Sequence, residues 1–131
     1  MIDENNVKAG IDAVVKAMNT HISNGDVCKY GCGALCNMVS DGSAKFQKEI
    51  CEKGGLDVLL RVLKEHPYNE DLLRLCCGAI AFILSSHETH SKYCTPEVIR
   101  VVEECYKKHK DSEEIRLLLL SLKRKWGSRV L

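Results

Sequence analysis

The chain has 131 residues, of which 45% are hydrophobic and 28% are charged, as expected for one globular domain with one core. Its formal net charge is only +1, so bulk charge favours neither a nucleic acid nor a membrane surface as partner. Strand-type alternation of Val and Ile is missing and there are only two prolines, so we predict an all-α protein.

The chain repeats itself after a shift of 45 residues, without a gap. Residues 33–35 (Gly-Ala-Leu) fall on residues 78–80 (Gly-Ala-Ile), and His21 falls on His66. A weaker third copy appears with a shift of 42 residues. Periods of this length are typical of proteins in which stacked units bury a shared core. We therefore predict a single domain, 1–131, with copies at about 1–40, 41–86 and 87–131.

Helices are expected in each copy. In the first, the stretch at 30–40 (YGCGALCNMVS) is predicted to lie on a helix. A short helix at 44–53 should open the second copy, with Asp41 or Ser43 as its N-cap and Gly54-Gly55 at its end. Glycine is the usual residue just past a helix end, so the boundary is well marked.

Two longer helices are predicted next. Residues 55–66 carry apolar side chains at i, i+3, i+4 and i+7, which indicates an amphipathic helix that ends before Pro67. Asn69 should cap the following helix, which has acidic residues in its first turn. Its apolar residues run nearly all the way round, so we expect it to be buried on several sides. One unit is then a short helix, an amphipathic helix and a buried helix.

The two mid-helix glycines at the same register, Gly33 and Gly78, are the most unusual feature of the repeat. Glycine inside a helix costs about 1 kcal/mol relative to alanine. A cost repeated at one register predicts the close approach of a neighbouring helix or of a ligand backbone. The adjacent Cys32 and Cys77 are interpreted as small packing residues.

This pattern resembles the armadillo repeat over roughly residues 7–126. The shared features are three helices per unit, the period, the Gly-Gly-aliphatic start of the second helix, and a third helix similar to Gly-Ala-Leu-x-Asn-Leu. Single helix pairs also fit HEAT repeats, but the short extra helix favours armadillo. The resemblance implies a right-handed superhelical solenoid whose third helices line a concave groove. In that family the groove binds extended peptides or protein surfaces.

The family's peptide-holding asparagine matches only Asn37, because Phe82 and Arg124 stand at the equivalent positions. The tryptophan that importin-alpha-like members place one turn earlier is replaced by Gly33, Gly78 and then Leu120. The recognition of basic nuclear-localisation peptides is therefore not carried over to this chain.

All three copies place a cation one turn before these glycine positions, and residues four apart share a helix face. An acidic or carboxylate-bearing protein segment is the ligand that such a basic ladder would hold through charge-assisted hydrogen bonds. The alternative is a solvated face whose cations serve solubility. The predicted partner-binding residues of the concave face are Lys29, Gly33, Asn37, Arg74, Gly78, Phe82, Arg116 and Arg124.

The eight cysteines raise the alternative of a metal or redox site. Cys28, Cys32 and Cys36 lie four apart on one helix face, but structural zinc sites usually combine Cys pairs from separate elements. His87, His90 and Cys94 are expected in a polar loop between the second and third copies. Burial as small hydrophobic residues is the favoured interpretation of the thiols, and we predict no metal and no cofactor.

No nucleophile elbow, phosphate-binding loop or dinucleotide fingerprint is found in the sequence, so an enzyme is not expected. We predict a scaffold or adaptor, cytoplasmic or nuclear, that binds a protein or peptide and no small-molecule substrate. One alternative is a self-association module that stacks through its terminal repeats, or a piece of a longer array, because the leucines at 117–120 look poorly sealed. Another alternative is a thiol- or metal-responsive sensor.

Overall fold

The computed structural model describes residues 4–39 and 44–126, and these residues form helices and no strand, as predicted for an all-α protein. The predicted caps Asp41 and Ser43 lie outside the described residues, as do the side chains of Arg124 and Trp126. The described helices are α1 (Glu4–Thr20), α2 (Gly25–Val39), α3 (Ala44–Glu52), α4 (Gly55–Glu65), α5 (Glu70–Ile83), α6 (His87–Tyr93), α7 (Pro96–Lys108) and α8 (Glu113–Trp126).

The starts of the helices follow the expected local chemistry. The Asn69 side chain accepts a hydrogen bond from the Leu72 backbone N–H at 3.2 Å, so the predicted N-cap of α5 is confirmed. Ser86 caps α6 in the same way. Thr95 caps α7, and the proline after it occupies the first helical position, where the missing N–H costs nothing.

The predicted double-glycine boundary lies between α3 and α4. Gly54 has a φ of 86°, a left-handed conformation that side chains disfavour. A Cβ on Gly55 would lie 2.3 Å from Ile50 Cγ2 and 2.9 Å from the Ile50 carbonyl oxygen. The second contact involves backbone and cannot relax by a rotamer change. The chain therefore requires glycine at both positions to leave one helix and begin the next.

The helices pack as two adjoining rows. α1, α4 and α7 are neighbours in one row, and α2, α5 and α8 are neighbours in the other. Each helix of the first row also contacts the helix that follows it in the second row, and α3 packs against α4, α5 and α6. α5 is central, and most of its apolar side chains, including Leu72 and Ile80, are buried, whereas Phe82 is exposed. The prediction that this helix is buried on several sides is therefore confirmed.

Successive units are joined by the same histidine hydrogen bond. His66, the C-cap residue of α4, donates its Nε2–H to the Ile22 carbonyl oxygen at 2.7 Å. His109, the C-cap residue of α7, donates to the Pro67 carbonyl oxygen at 2.5 Å. Each acceptor is the residue that follows the histidine of the previous unit. The two bonds thus fix the position of each unit relative to the preceding unit.

One sequence-based expectation is wrong. The segment with His87, His90 and Cys94 is not a polar loop but contains the helix α6, and its end packs into the core. His90 and Cys94 are buried, and His90 Nε2 hydrogen-bonds the Leu122 carbonyl oxygen at 3.1 Å. The polar composition of this segment suggested a loop. Its buried polar side chains are nevertheless compatible with a packed helix, because they hydrogen-bond to backbone acceptors.

No single helix within 4–39 or 44–126 is long and apolar enough to span a membrane. α5 and α6 together meet the length and composition criteria only as a pair bent by 110°.

Candidate partner-binding face

The predicted binding residues whose side chains the structure describes lie on the neighbouring helices α2, α5 and α8 and are exposed or half-buried. Because α5 is covered on its other sides, Arg74, Gly78 and Phe82 occupy its solvent stripe. Lys29 and Asn37 are exposed on α2, and α8 continues the row on the other side of α5. We call the surface formed by Lys29, Gly33, Asn37, Arg74, Gly78, Phe82, Arg116 and Leu120 the α2/α5/α8 face.

The two mid-helix glycines do not serve helix packing, contrary to one half of the prediction. A Cβ built on Gly33 or Gly78 would have no heavy atom within 4 Å beyond its own helix and chain neighbours. The glycine that does allow close helix approach is Gly31, where a Cβ would lie 2.4 Å from Met18 Cγ on α1. Gly33 and Gly78 instead leave the helix backbone uncovered on the α2/α5/α8 face.

Large apolar side chains border the uncovered backbone at Gly33 and Gly78. Phe82 is 49% exposed, and Leu117 and Leu120 of α8 are 52% and 46% exposed. The end of α5 that carries Phe82 is held firmly, because Gln47 of α3 donates its Nε2–H to the Phe82 carbonyl oxygen at 2.7 Å. Exposed apolar groups that flank uncovered backbone are typical of a contact surface for another chain.

The cations of this face have acidic neighbours that the sequence analysis missed. Arg74 is 2.5 Å from Asp71 Oδ1, and Arg116 donates two hydrogen bonds to Glu113. The hydrogen bonds from Arg116 lower the pKa of the Glu113 carboxyl. The sequence contains this pairing pattern, because an acidic residue lies one turn before each of the three cations, beginning with Asp26 before Lys29.

A cleft of about 420 Å³ extends from Arg74 toward the connection between α7 and α8. Lys108 and Lys110 supply two further cations, whereas Glu70 and Asp111 supply carboxylates. The wall is therefore polar with mixed charge, suited to side chains that offer hydrogen bonds. Sequence analysis did not find it, because its residues come from two separated segments that meet only after folding.

Comparison with known proteins identifies no relative. No protein-family model, no curated protein and no solved structure matches the chain. The armadillo resemblance remains a prediction from the residues quoted for it.

The thiols are packed as the sequence analysis expected. None of the eight cysteines, all of which lie in the described ranges, forms a disulfide, and all are buried except Cys36, which is half-buried. Burial raises the pKa of Cys51 to about 12. Cys76 donates to the Leu59 carbonyl oxygen at 3.1 Å, whereas Cys77 lies beside Cys105, so the vicinal pair serves two different helix contacts. Within the described ranges no group of three or more His, Cys, Asp or Glu residues is arranged to hold a metal ion.

Proposed function

We propose that this protein is a non-enzymatic, armadillo-like scaffold whose α2/α5/α8 face binds an extended segment of a partner protein. In this proposal α2, α5 and α8 have the role of third helices. The observation that carries the proposal is the uncovered backbone at Gly33 and Gly78, which lie on the neighbouring helices α2 and α5. Exposed apolar side chains flank these positions. Each mid-helix glycine costs about 1 kcal/mol of stability relative to alanine, and packing inside the chain does not explain why glycine stands at both positions.

The partner segment should carry acidic side chains. Arg74 and Arg116 are each held by a single surface ion pair, and such pairs contribute little to stability because water and salt screen them. A ligand carboxylate can displace such a neighbour at small cost, or share the guanidinium with it. Lys29 makes no ion pair among the residues that the structure describes, so its charge is open to a ligand.

The partner should also carry one or more apolar anchors. Leu120 stands at the register of Gly78 on the neighbouring helix, at the usual axis spacing of about 8–10 Å. An apolar side chain inserted between Leu120 and Phe82 would bury area that water now covers, and burial is worth about 25 cal/mol per Å². Acidic groups give the segment its register and the anchor gives most of the affinity.

Charge reversal with a matched control tests this proposal. Arg74→Glu combined with Arg116→Glu should abolish capture of the partner in pull-downs analysed by mass spectrometry. Arg100→Glu is the control, because Arg100 of α7 forms the same i, i+3 ion pair with Glu97 on a different surface. Unchanged capture by the double variant, or equal loss in the Arg100 variant, would refute the proposed face. Circular dichroism checks that each variant folds.

A further inference from the structure

Four of the buried thiols lie in two neighbouring pairs where α5 meets other helices. Cys76 lies beside Cys32 of α2, and the next residue, Cys77, lies beside Cys105 of α7. All four are free thiols. The central helix thus carries one thiol toward the preceding unit and one toward the following unit.

The repeat does not require a thiol pair between the second and third units. A shift of 45 residues places Cys77 at the register of Cys32, and a shift of 42 residues places Cys105 at the register of Leu63. Between the first two units the corresponding residues are therefore a cysteine and a leucine. An apolar side chain serves the packing at this register, so the second thiol at Cys105 has another explanation.

The two pairs differ in their surroundings. Cys32 and Cys76 are fully buried, whereas Cys105 retains 6% of its exposure. Cys105 also lies within about one turn of Lys108 and His109, which line the cleft of about 420 Å³ between α5 and the connection from α7 to α8. The pair that contains Cys105 is therefore the one close to a polar, positively charged and open surface.

The surroundings also divide the roles within this pair. The Cys77 thiol lowers the pKa of Cys105, although burial opposes this effect. The charges of His109 and Lys108 add to the lowering. The pKa of Cys77 is raised by Cys105 and by burial, so the shared proton stays on Cys77 and Cys105 gains thiolate character. Burial raises the pKa of Cys76, which leaves the other pair without such a nucleophile.

We propose that Cys77 and Cys105 form an oxidation site for hydrogen peroxide, at which a reversible disulfide joins α5 of the second unit to α7 of the third. The Cys105 thiolate attacks one peroxide oxygen, the O–O bond breaks, and the products are a sulfenic acid on Cys105 and hydroxide, which takes up a proton. The Cys77 sulfur then attacks the sulfenic sulfur. The S–S bond forms, the S–O bond breaks, and the oxygen leaves as water with the Cys77 proton. Two thiols lose two electrons in total, and one peroxide is reduced to two waters.

The test is peroxide treatment of the full chain in a Cys36→Ala background, which removes the half-buried thiol that could couple two copies. The remaining thiols are alkylated, and tandem mass spectrometry of the digested protein locates any disulfide. We expect one intramolecular bond, between Cys77 and Cys105, which dithiothreitol reverses. Because the bond closes a loop in the unfolded chain, the oxidised protein should have a Tm at least about 5 °C above that of the reduced protein.

The vicinal cysteines of α5 provide a matched control. Cys76→Ala should leave the disulfide intact, whereas Cys77→Ala should abolish it and leave a sulfenic acid on Cys105 that dimedone labels. Circular dichroism checks that each variant folds, and the location of the bond in the parent chain depends on neither variant. Thiols that all stay reduced in the parent chain would overturn the inference, as would equal loss of the bond in both variants. A bond that includes Cys32 or Cys76, or a mixture of pairings, would also overturn it, because the native pair would then not direct the oxidation.

Discussion

Replacing His66 by alanine tests whether the repeated histidine bond joins the units. The ring is partly buried and donates to the Ile22 carbonyl oxygen at 2.7 Å, across the contact between the first and second units. A hydrogen bond of this kind contributes about 0.5–1.5 kcal/mol net, and an acceptor left without a partner in a partly buried site adds to the loss. We therefore expect a loss of about 1–2 kcal/mol in the free energy of unfolding.

The measurement is urea unfolding followed by circular dichroism, with thermal unfolding as a second probe. A loss of this size should lower Tm by about 3–8 °C in a domain of 131 residues. His21→Ala is the matched control, because its ring has no hydrogen bond in the described part of the chain, and it should change stability by less than about 0.5 kcal/mol. Equal losses for His66→Ala and His21→Ala would refute the reasoning.

Three further predictions concern glycines, thiols and unit coupling. Gly78→Ala should stabilise the fold by about 0.5–1 kcal/mol because its Cβ meets open space, whereas Gly55→Ala should destabilise the fold because its Cβ would meet the Ile50 carbonyl oxygen. Chemical denaturation of both variants measures these changes, and a stability loss in Gly78→Ala would contradict the open face. In native thiol titration Cys36 should react first and the other seven cysteines slowly, while unfolded protein should yield all eight rapidly; several fast native thiols would contradict their burial. His66→Ala and His109→Ala should show additive stability losses within about 0.5 kcal/mol, because they join different pairs of units; a larger coupling energy from the double variant would show that the bonds are not independent.

The sequence predicted the helices well where local chemistry determines them. Asn69 caps α5 through its own side chain, and Gly54-Gly55 marks the boundary between α3 and α4. Such signals act within a few residues and need no knowledge of the fold. The repeat added long-range information, since it aligned His21 with His66, although only the structure revealed the carbonyl acceptor on the previous unit.

The candidate site was less predictable, because its properties depend on what surrounds each position. The register correctly placed Phe82 and Arg74 on an exposed stripe. It could not tell whether Gly33 faced a neighbouring helix or solvent, since both explain a glycine equally well. His90 was misjudged for the related reason that burial of a polar side chain depends on a distant acceptor, here the Leu122 carbonyl oxygen.

The most direct test of the central claim is to map where an acidic segment touches the protein. Peptides that carry two or more carboxylates around an apolar anchor would be selected for binding, and the backbone NMR shifts of the labelled protein would be followed during titration. The account predicts that the largest shifts cluster at Gly33, Gly78 and Phe82 and extend toward Arg116 on α8. Shifts concentrated on α1, α4 and α7, with the α2/α5/α8 face unaffected, would contradict it.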